Sequence, residues 1–228
     1  MQKTVPKIRF DKSGYYFIIL LALAFAGFWR SYFNQFFSGT NTYNFYFHFH
    51  AVMMVLWVSI LIAQPLLIRK KKLNIHRIIG KITYVLMPVM LLSVLLVMNS
   101  SMKAVPENQI TFATVIFPVR DFFLLLVFFT IGLIYRRNVQ VHARAMIITG
   151  IVFIEPALFR FIGSGFGIPV IIALLVTLII MERKQKSGRW LFPAFLMVDV
   201  AVYLMLALQL SLSFLDPVVK WFAKLPLT

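Results

Sequence analysis

The sequence predicts an all-α protein, a bundle of seven transmembrane helices, and three observations support this fold class. First, the 228 residues are 61% hydrophobic and only 13% charged, whereas a soluble domain is about 45–50% apolar and about 25% charged. Second, apolar runs long enough to cross a bilayer recur along the whole chain. Third, lysine and arginine concentrate in alternate connections between these runs. So much apolar surface exceeds what a soluble core of this size could bury, and the excess must face lipid.

Seven apolar runs are candidates for transmembrane helices, which need about 20 mainly apolar residues each. Connections with glycine, proline and asparagine separate them, as expected where a chain turns between helices. No small-x-small cleavage site follows the first run, so we interpret that run as a retained span rather than a signal peptide. We treat residues 1–228 as one integral membrane domain, with spans near 14–33, 44–68, 78–99, 110–135, 143–162, 167–182 and 190–214.

The basic residues predict how the bundle lies in the membrane. They are frequent in the N-terminal segment and in the second, fourth and sixth connections, and rare in the other connections. Because basic connections stay in the cytoplasm, the pattern predicts a cytoplasmic N-terminus and an external C-terminus. The residues are Lys3, Lys7, Arg9 and Lys12, then Arg69, Lys70, Lys71, Lys72 and Arg77, then Arg136, Arg137 and Arg144, and finally Arg183, Lys184, Lys186 and Arg189.

The net charge of +16 suggests anionic lipid headgroups on the cytoplasmic side as partners, because the basic residues form short runs between apolar segments. The sequence has no nucleic-acid-binding motif, so nucleic acid is not an expected partner. Cysteine is absent, which excludes disulfides, thiolate metal sites and cysteine nucleophiles. Hydrolase chemistry also lacks sequence support, because neither a nucleophile elbow nor a His-x-x-x-His pattern is present.

Two of the four histidines, His48 and His50, lie near the outer end of the second predicted span, in the stretch NFYFHFHAVMMVLW. Residues two apart on a helix point about 200° apart, so a helical segment cannot aim both rings at one site. An extended segment at this position would let both rings point the same way. We favour His50 as the inward-facing ring, because it shares a helical stripe with Trp57, Leu61 and Gln64.

Within the predicted spans, six arginine, aspartate and glutamate residues lie in the outer half of the membrane or near mid-depth. A charge at mid-bilayer costs roughly 2.5 to more than 10 kcal/mol, so such side chains usually face the bundle interior and pair. One interpretation is a functional polar site that combines His50 with the carboxylates and arginine partners. The other is salt bridging that only fixes helix packing, with the outermost arginines reaching the surface. The six residues are Arg30, Arg120, Asp121, Glu155, Arg160 and Asp199.

Glu155 is the most suggestive of these residues, since it directly precedes Pro156 in the stretch IVFIEPALFR. The proline removes a backbone donor and is expected to bend or open the helix at that point. Freed carbonyl groups beside a carboxylate could bind a cation or carry a proton. The alternative is a kink whose polar groups are satisfied by Arg120 or by water.

The other two histidines, His76 and His142, each begin a predicted span on its cytoplasmic side, within basic sequence. They are either interfacial residues of a basic collar or a pair of ligands brought together at the mouths of two spans. Histidine binds haem iron and transition metals. Haem b or a transition metal is therefore the cofactor to consider, at this pair or at an outer histidine with a carboxylate. The outer candidates are His48, His50, Asp121 and Glu155.

The stretch HFHAVMMVLWVSILIAQPLLIRKKKLNIHRIIGKI, with HARAM and EPALFRF later in the chain, resembles a family of uncharacterised bacterial multipass membrane proteins. The resemblance covers residues 44–160. That family is expected to have His-x-His, Trp and Gln along one span, His-Arg-x-x-Gly opening the next, and His-x-Arg-x-Met further on. The resemblance implies a multipass fold in the bacterial cytoplasmic (inner) membrane but no firm function. The matching residues are His48, His50, Trp57, Gln64, His76, Arg77, Gly80, His142, Arg144 and Met146.

A looser similarity connects the chain to transmembrane b-type cytochromes and ferric-reductase-like bundles. Those proteins hold haem between helices, with paired histidines at matching depths on two facing helices. The chain departs from that pattern, because its outer layer offers no second histidine on a facing span.

Three functions remain open at this point. The first, which we favour, is metal or haem binding at an intramembrane His/carboxylate site for redox chemistry. The second is a proton-coupled small-molecule transporter in which His, Asp and Glu at different depths form a relay, although the chain is small and shows no inverted repeat. The third is a non-catalytic membrane assembly factor whose buried charges serve packing alone.

Overall fold

The computed structural model describes residues 13–210 and 212–228, and within these ranges the chain is helical and contains no β-strand. The all-α class that composition predicts is therefore confirmed. The basic residues Lys3, Lys7, Arg9 and Lys12, which contribute to the predicted orientation, lie outside the described residues.

The described part of the chain contains ten α-helices, some of which follow one another with only a short interruption. A five-residue π-helix (Trp29–Phe33) joins the first two, and short 3₁₀ turns precede the fifth and the tenth. The helices are α1 (Ser13–Phe28), α2 (Asn34–Phe37), α3 (Phe45–Arg69), α4 (Leu73–Lys103), α5 (Phe112–Ile134), α6 (Val139–Ile151), α7 (Ile154–Ile162), α8 (Ser164–Glu182), α9 (Leu191–Ala207) and α10 (Asp216–Lys224).

Within the described ranges, six helical segments are long and apolar enough to cross a membrane. They are α1 together with α2, then α3, α4, α5, α6 together with α7, and α8. They correspond in order to the first six predicted spans. The seventh predicted span overlaps α9, which has 17 residues and a length of about 26 Å, slightly less than a hydrocarbon core of about 30 Å. The count of seven spans and the orientation of the termini stay predictions.

Short connections join helices that pack side by side, so the spanning segments run antiparallel. α3 packs along α4, α5 along α6, and α1 against both α3 and α7. The connections 70–72, 135–138 and 183–190 therefore lie at one end of the bundle, which we name the basic end. The connections 38–44, 104–111 and 208–215 lie at the other end, which we name the distal end.

The bundle has a buried core and an outer surface that is also apolar. Trp57 of α3, Met90 of α4 and Leu125 of α5 are at most 1% exposed. In contrast, Ile19 of α1 and Val85 of α4 are 66% and 68% exposed, which would be unfavourable in water. Apolar side chains on the inside and on the outside are what a helical bundle surrounded by lipid requires.

α6 and α7 are separated by a break at Val152 and Phe153. Pro156 explains this break, because it cannot donate a hydrogen bond to the Val152 carbonyl and its ring would clash with that group. The prediction that Pro156 opens the helix is confirmed. As a result, Glu155 lies buried in the first turn of α7.

A second, smaller core lies at the distal end, where α10 packs across the ends of α4 and α5. Val219 and Ala223 of α10 are buried there together with Met102, Ile110 and Val115. The tail of the chain, which is too short to span a bilayer, therefore folds back onto the bundle.

Gly27 of α1 is the basis of a stability prediction, because a Cβ at this position would collide with the Ala157 carbonyl of α7. We expect Gly27→Ala to lower the free energy of unfolding by about 1–3 kcal/mol through overpacking. Gly165→Ala in α8 is the matched control, since a Cβ there meets no atom within 4 Å and improves helix propensity. Thermal unfolding in detergent measures both variants; equal melting temperatures would contradict the close approach of α1 and α7.

Candidate functional site

Arg120 lies at the centre of a buried ionic cluster that joins α5, α7 and α9. Its side chain is only 4% exposed. Its Nε and Nη2 donate to Asp121 Oδ1 at 2.9 and 2.7 Å, and Nη2 also lies 2.8 Å from Glu155 Oε2. Its Nη1 is 3.4 Å from Asp199 Oδ1. We name Arg120, Asp121, Glu155 and Asp199 the Arg120 cluster.

The three helices bring these side chains to one depth. Arg120 is eight residues from the start of α5, Glu155 seven from the end of α7, and Asp199 eight from the end of α9. These three helix ends all lie at the distal end. At 1.5 Å per residue, the cluster is therefore about 10–12 Å inside the bundle, which is deep enough to lie in hydrocarbon if the bundle spans a bilayer.

The Arg120 cluster contains more carboxylates than guanidinium groups. One guanidinium and three carboxylates have a formal charge of −2 (1 − 3) when all are ionised. Asp199 is fully buried, yet neither of its carboxylate oxygens has a hydrogen-bond partner within the described residues. The buried Tyr203 lies one turn further along α9 and interacts with Glu155. Buried charges need counter-charges or hydrogen bonds, so the arrangement favours the binding of protons.

The outer histidines have different neighbours. Both lie within α3, so the alternative in which this segment is extended is wrong. His48 Nδ1 is 2.7 Å from the Tyr32 hydroxyl, and His50 Nδ1 is 3.0 Å from Ser93 Oγ of α4. Ser93 donates its single hydroxyl proton to the Met90 carbonyl at 2.6 Å, so His50 Nδ1 is the donor to Ser93. The hydrogen bonds and ion pairs of the described residues do not connect His50 to the Arg120 cluster.

The inner histidines lie at the same end of the bundle. His76 is in the first turn of α4 and His142 in the first turn of α6, both at the basic end. His142 Nδ1 donates to the Gly132 carbonyl at 2.8 Å, whereas His76 Nδ1 is buried without a hydrogen-bond partner in the described part of the chain. The amide of Gln64 donates to the His76 carbonyl at 3.2 Å. Gln64 and His76, two residues of the predicted family motifs, are therefore in contact.

Arg160 stays apart from the Arg120 cluster, although both were assigned to one polar intramembrane group. Its Nη1 donates to the Pro156 carbonyl at 2.9 Å, and its guanidinium lies 4.4 Å from the centroid of the Phe28 ring. The residue is exposed, as is Arg30. These two arginines therefore follow the second interpretation, in which they extend to the surface.

Sequence reasoning missed a second buried ion pair, between Arg144 and Glu182. Arg144 is fully buried, its Nε donates to Glu182 Oε2, and its Nη1 donates to the carbonyls of Gln140 and Ser187 at 2.9 Å each. Glu182 could have been noticed as an acid beside a run of basic residues. Tyr203 was missed as well, although its spacing of four residues from Asp199 places both on one helix face.

Comparisons with protein-family models, with curated proteins and with solved structures gave no match. The resemblance to a bacterial multipass family therefore stays a prediction. Among residues 13–210 and 212–228, no three histidine, aspartate or glutamate side chains are arranged to hold a metal ion. In the Arg120 cluster, the guanidinium takes the central position that a metal cation would need.

The free energy of unfolding tests whether Arg120 neutralises the carboxylates of the cluster. We expect Arg120→Gln to lower the free energy of unfolding by about 3–5 kcal/mol, because it leaves buried carboxylates without a positive partner. Arg160→Gln makes the same substitution at an exposed arginine and should change stability by no more than about 0.5 kcal/mol. Denaturation of both variants in detergent, compared with the wild type, decides the point. Similar losses in the two variants would show that Arg120 does not neutralise the cluster.

Proposed function

We propose that this protein is a proton-coupled small-molecule carrier and that the Arg120 cluster is its proton-binding site. The observation that carries the proposal is the buried surplus of carboxylates, three of which surround a single guanidinium. Ionisable groups inside membrane-spanning helices are typical of proton relays and substrate pathways.

The surplus negative charge makes proton binding favourable. With every group ionised, the cluster would bury two negative charges without counter-ions, which is strongly unfavourable in a medium of low dielectric constant. Carboxyl groups that interact this closely titrate as one coupled unit, in which one member holds a proton while another is ionised. Exchange of such a proton with one side of a membrane is the step that a proton-coupled carrier requires.

Asp199 is the carboxyl group to which we assign the exchangeable proton. Asp121 and Glu155 make the short contacts with Arg120, whereas Asp199 Oδ1 is 3.4 Å away and has no hydrogen bond. A protonated carboxyl group can donate a hydrogen bond. The hydroxyl of Tyr203, one turn further along, is the neighbouring polar group on α9.

The backbone around Glu155 supports a carrier mechanism. Discontinuous helices line the substrate and ion sites of many membrane carriers. α7 is separated from α6 by the break at residues 152–153 and from α8 by Gly163, whose φ of +80° suits glycine. A nine-residue helix with an irregular joint at each end could tilt as a unit and move Glu155 relative to Arg120.

The proposal includes the membrane placement that the sequence predicts. The protein would lie in the bacterial inner membrane with α9 as its seventh span, the N-terminus in the cytoplasm and the C-terminus outside. The basic end would contact anionic headgroups on the cytoplasmic side. The Arg120 cluster would then lie in the outer half of the membrane, within reach of external protons.

Infrared difference spectra between high and low pH test the proton-binding site directly. We expect the wild-type protein to show the carbonyl stretch of a buried protonated carboxylic acid, and Asp199→Asn to remove it, because an amide cannot take up the proton. Glu107→Gln, at an exposed carboxylate of the distal end, should leave this band unchanged.

The same variants test the carrier activity in proteoliposomes on a solid-supported membrane. Under a proton gradient, a panel of amino acids, organic acids and amines should include compounds that evoke currents in the wild type and in Glu107→Gln, but not in Asp199→Asn. If Asp199→Asn lowers only the melting temperature, and neither a protonated-acid band nor a current is found in the wild type, the carrier proposal is wrong. A non-catalytic assembly role would then be the better account.

A second candidate function is haem or transition-metal binding at His76 and His142. The observation that favours it is the hydrogen bond from His142 Nδ1 to the Gly132 carbonyl, because metal-ligating histidines usually donate their second ring N–H to such a group. Two protein ligands are fewer than the three of a catalytic zinc site, so haem b, whose iron is bound through axial ligands, fits the pair better. This candidate ranks second because fewer contacts support it than support the Arg120 cluster.

An absorption spectrum and metal analysis of the purified protein examine this second candidate. It predicts a Soret band or a bound metal that is lost in His76→Ala and in His142→Ala, because each removes one ligand. His48→Ala, which changes a histidine at the distal end, should keep the signal. Protein that is colourless and free of metal would eliminate haem and metal binding at the inner pair.

A further inference from the structure

α10 is fixed to the distal end of the bundle at both of its own ends. The buried amide of Asn99 in α4 donates to the Phe222 carbonyl at 2.7 Å and accepts from the Thr228 hydroxyl at 2.8 Å. The carboxylate of Asp216 accepts from the Phe112 backbone N–H at 2.7 Å, at the start of α5. The position of α10 across α4 and α5 is therefore determined by hydrogen bonds as well as by packing.

α10 has two apolar sides, and only one of them faces the protein. Val219 and Ala223 are buried against the bundle, whereas Val218 and Trp221 are 58% and 62% exposed. A helix that lies at the end of a membrane bundle with exposed tryptophan and aliphatic side chains is expected at the boundary of lipid and water, where tryptophan is enriched.

A cavity of about 160 Å³ lies beside α10, between the end of α4, the 104–111 connection and α10 itself. Its apolar floor includes Met102 and Ile110. Its rim has three ammonium groups and one carboxylate, a net charge of +2 (3 − 1). The rim residues are Lys103, Lys220, Lys224 and Glu107.

The ammonium groups of this rim keep free hydrogen-bond donors. Lys103 Nζ donates to the Thr228 carbonyl at 2.6 Å, and Lys224 Nζ is 2.8 Å from Glu107 Oε1. Each ammonium has three N–H groups, so two remain on each lysine. The hydrogen bond from Lys224 also lowers the pKa of Glu107 from its ordinary value, which keeps this carboxylate ionised and the rim charge at +2 near neutral pH.

We propose that this cavity binds the phosphate-bearing headgroup of an anionic phospholipid in the leaflet at the distal end. The positive rim complements the phosphate, and the exposed side of α10, with Val218 and Trp221, provides a surface for the acyl chains. The rule that basic residues mark the cytoplasmic side does not explain these three lysines, because they lie at the distal end, where the connections between spans are otherwise poor in basic residues. A soluble phosphate compound shares the charge but would make no use of the exposed apolar side of α10.

Fluorescence of Trp221 measures lipid enrichment at this cavity. The full-length protein is placed in phosphatidylcholine nanodiscs with a small fraction of brominated phosphatidylglycerol, or with the same fraction of brominated phosphatidylcholine. The Trp221 signal is the difference between the wild type and Trp221→Phe. We expect phosphatidylglycerol to be enriched near Trp221 roughly fivefold or more over phosphatidylcholine, as a contribution of about 1 kcal/mol from a single lysine already implies.

Charge variants make the test specific. We expect a triple variant to abolish the enrichment; it combines Lys103→Gln, Lys220→Gln and Lys224→Gln. Lys220→Gln alone removes no hydrogen bond of the described structure and should reduce the enrichment. Glu107→Gln should increase it, because the rim charge rises to +3. The control with Lys70→Gln, Lys71→Gln and Lys72→Gln changes the basic end only and should leave the Trp221 signal unchanged.

Three results would overturn the proposal. One is equal quenching of wild-type Trp221 by the two brominated lipids. Another is an enrichment of phosphatidylglycerol that persists in both Lys220→Gln and the triple lysine variant, each correctly folded. The third is displacement of phosphatidylglycerol by soluble glycerol 3-phosphate, which would identify a free phosphate compound as the ligand.

Discussion

The interaction between the Arg120 guanidinium and three carboxylates is the constraint on which the rest of the bundle depends. It connects α5 with α7 and α9, which run antiparallel to α5, and the three helices meet at one depth. In a hydrocarbon environment no water is present to solvate a charge that loses its partner. Electrostatic attraction therefore opposes small relative shifts of these helices. Apolar packing contributes less to this, because lipid would solvate the apolar side chains equally well.

Two buried arginines of the described residues, Arg120 and Arg144, differ in the carboxylates that the structure places around them. Arg144 pairs with Glu182 and donates to two backbone carbonyls. These contacts hold the 183–190 connection against α6. Arg120 faces three acids, so neutrality at its site requires protons. A site whose charge is completed by protons from outside the chain can respond to pH.

Hydropathy and charge predicted the helical class and the positions of six spans, because both depend on sums over about 20 residues. The opening of the helix at Pro156 was predictable from the chemistry of one residue. The pairing of side chains between helices was not predictable, because it depends on how each helix is rotated and on the depth of each side chain. The stripe argument identified Trp57 and Leu61 as buried, yet it could not show that His50 faces Ser93 instead of a carboxylate. Glu182, beside a run of basic residues, and Tyr203, one turn from Asp199, could have been noticed in the sequence, but their partners on other helices could not.

The Arg120 cluster and the lysine-rimmed cavity both lie towards the distal end, and α10 connects them through α5. Asp216 of α10 accepts a hydrogen bond from the first backbone N–H of α5, and Arg120 lies about two turns further along the same helix. A carboxylate at a helix N-terminus satisfies a free donor and interacts favourably with the helix dipole. The position of α10 thus contributes to the position of α5, and through α5 to that of Arg120. A lipid that holds α10 at the interface would therefore also stabilise the depth at which the guanidinium meets its carboxylates.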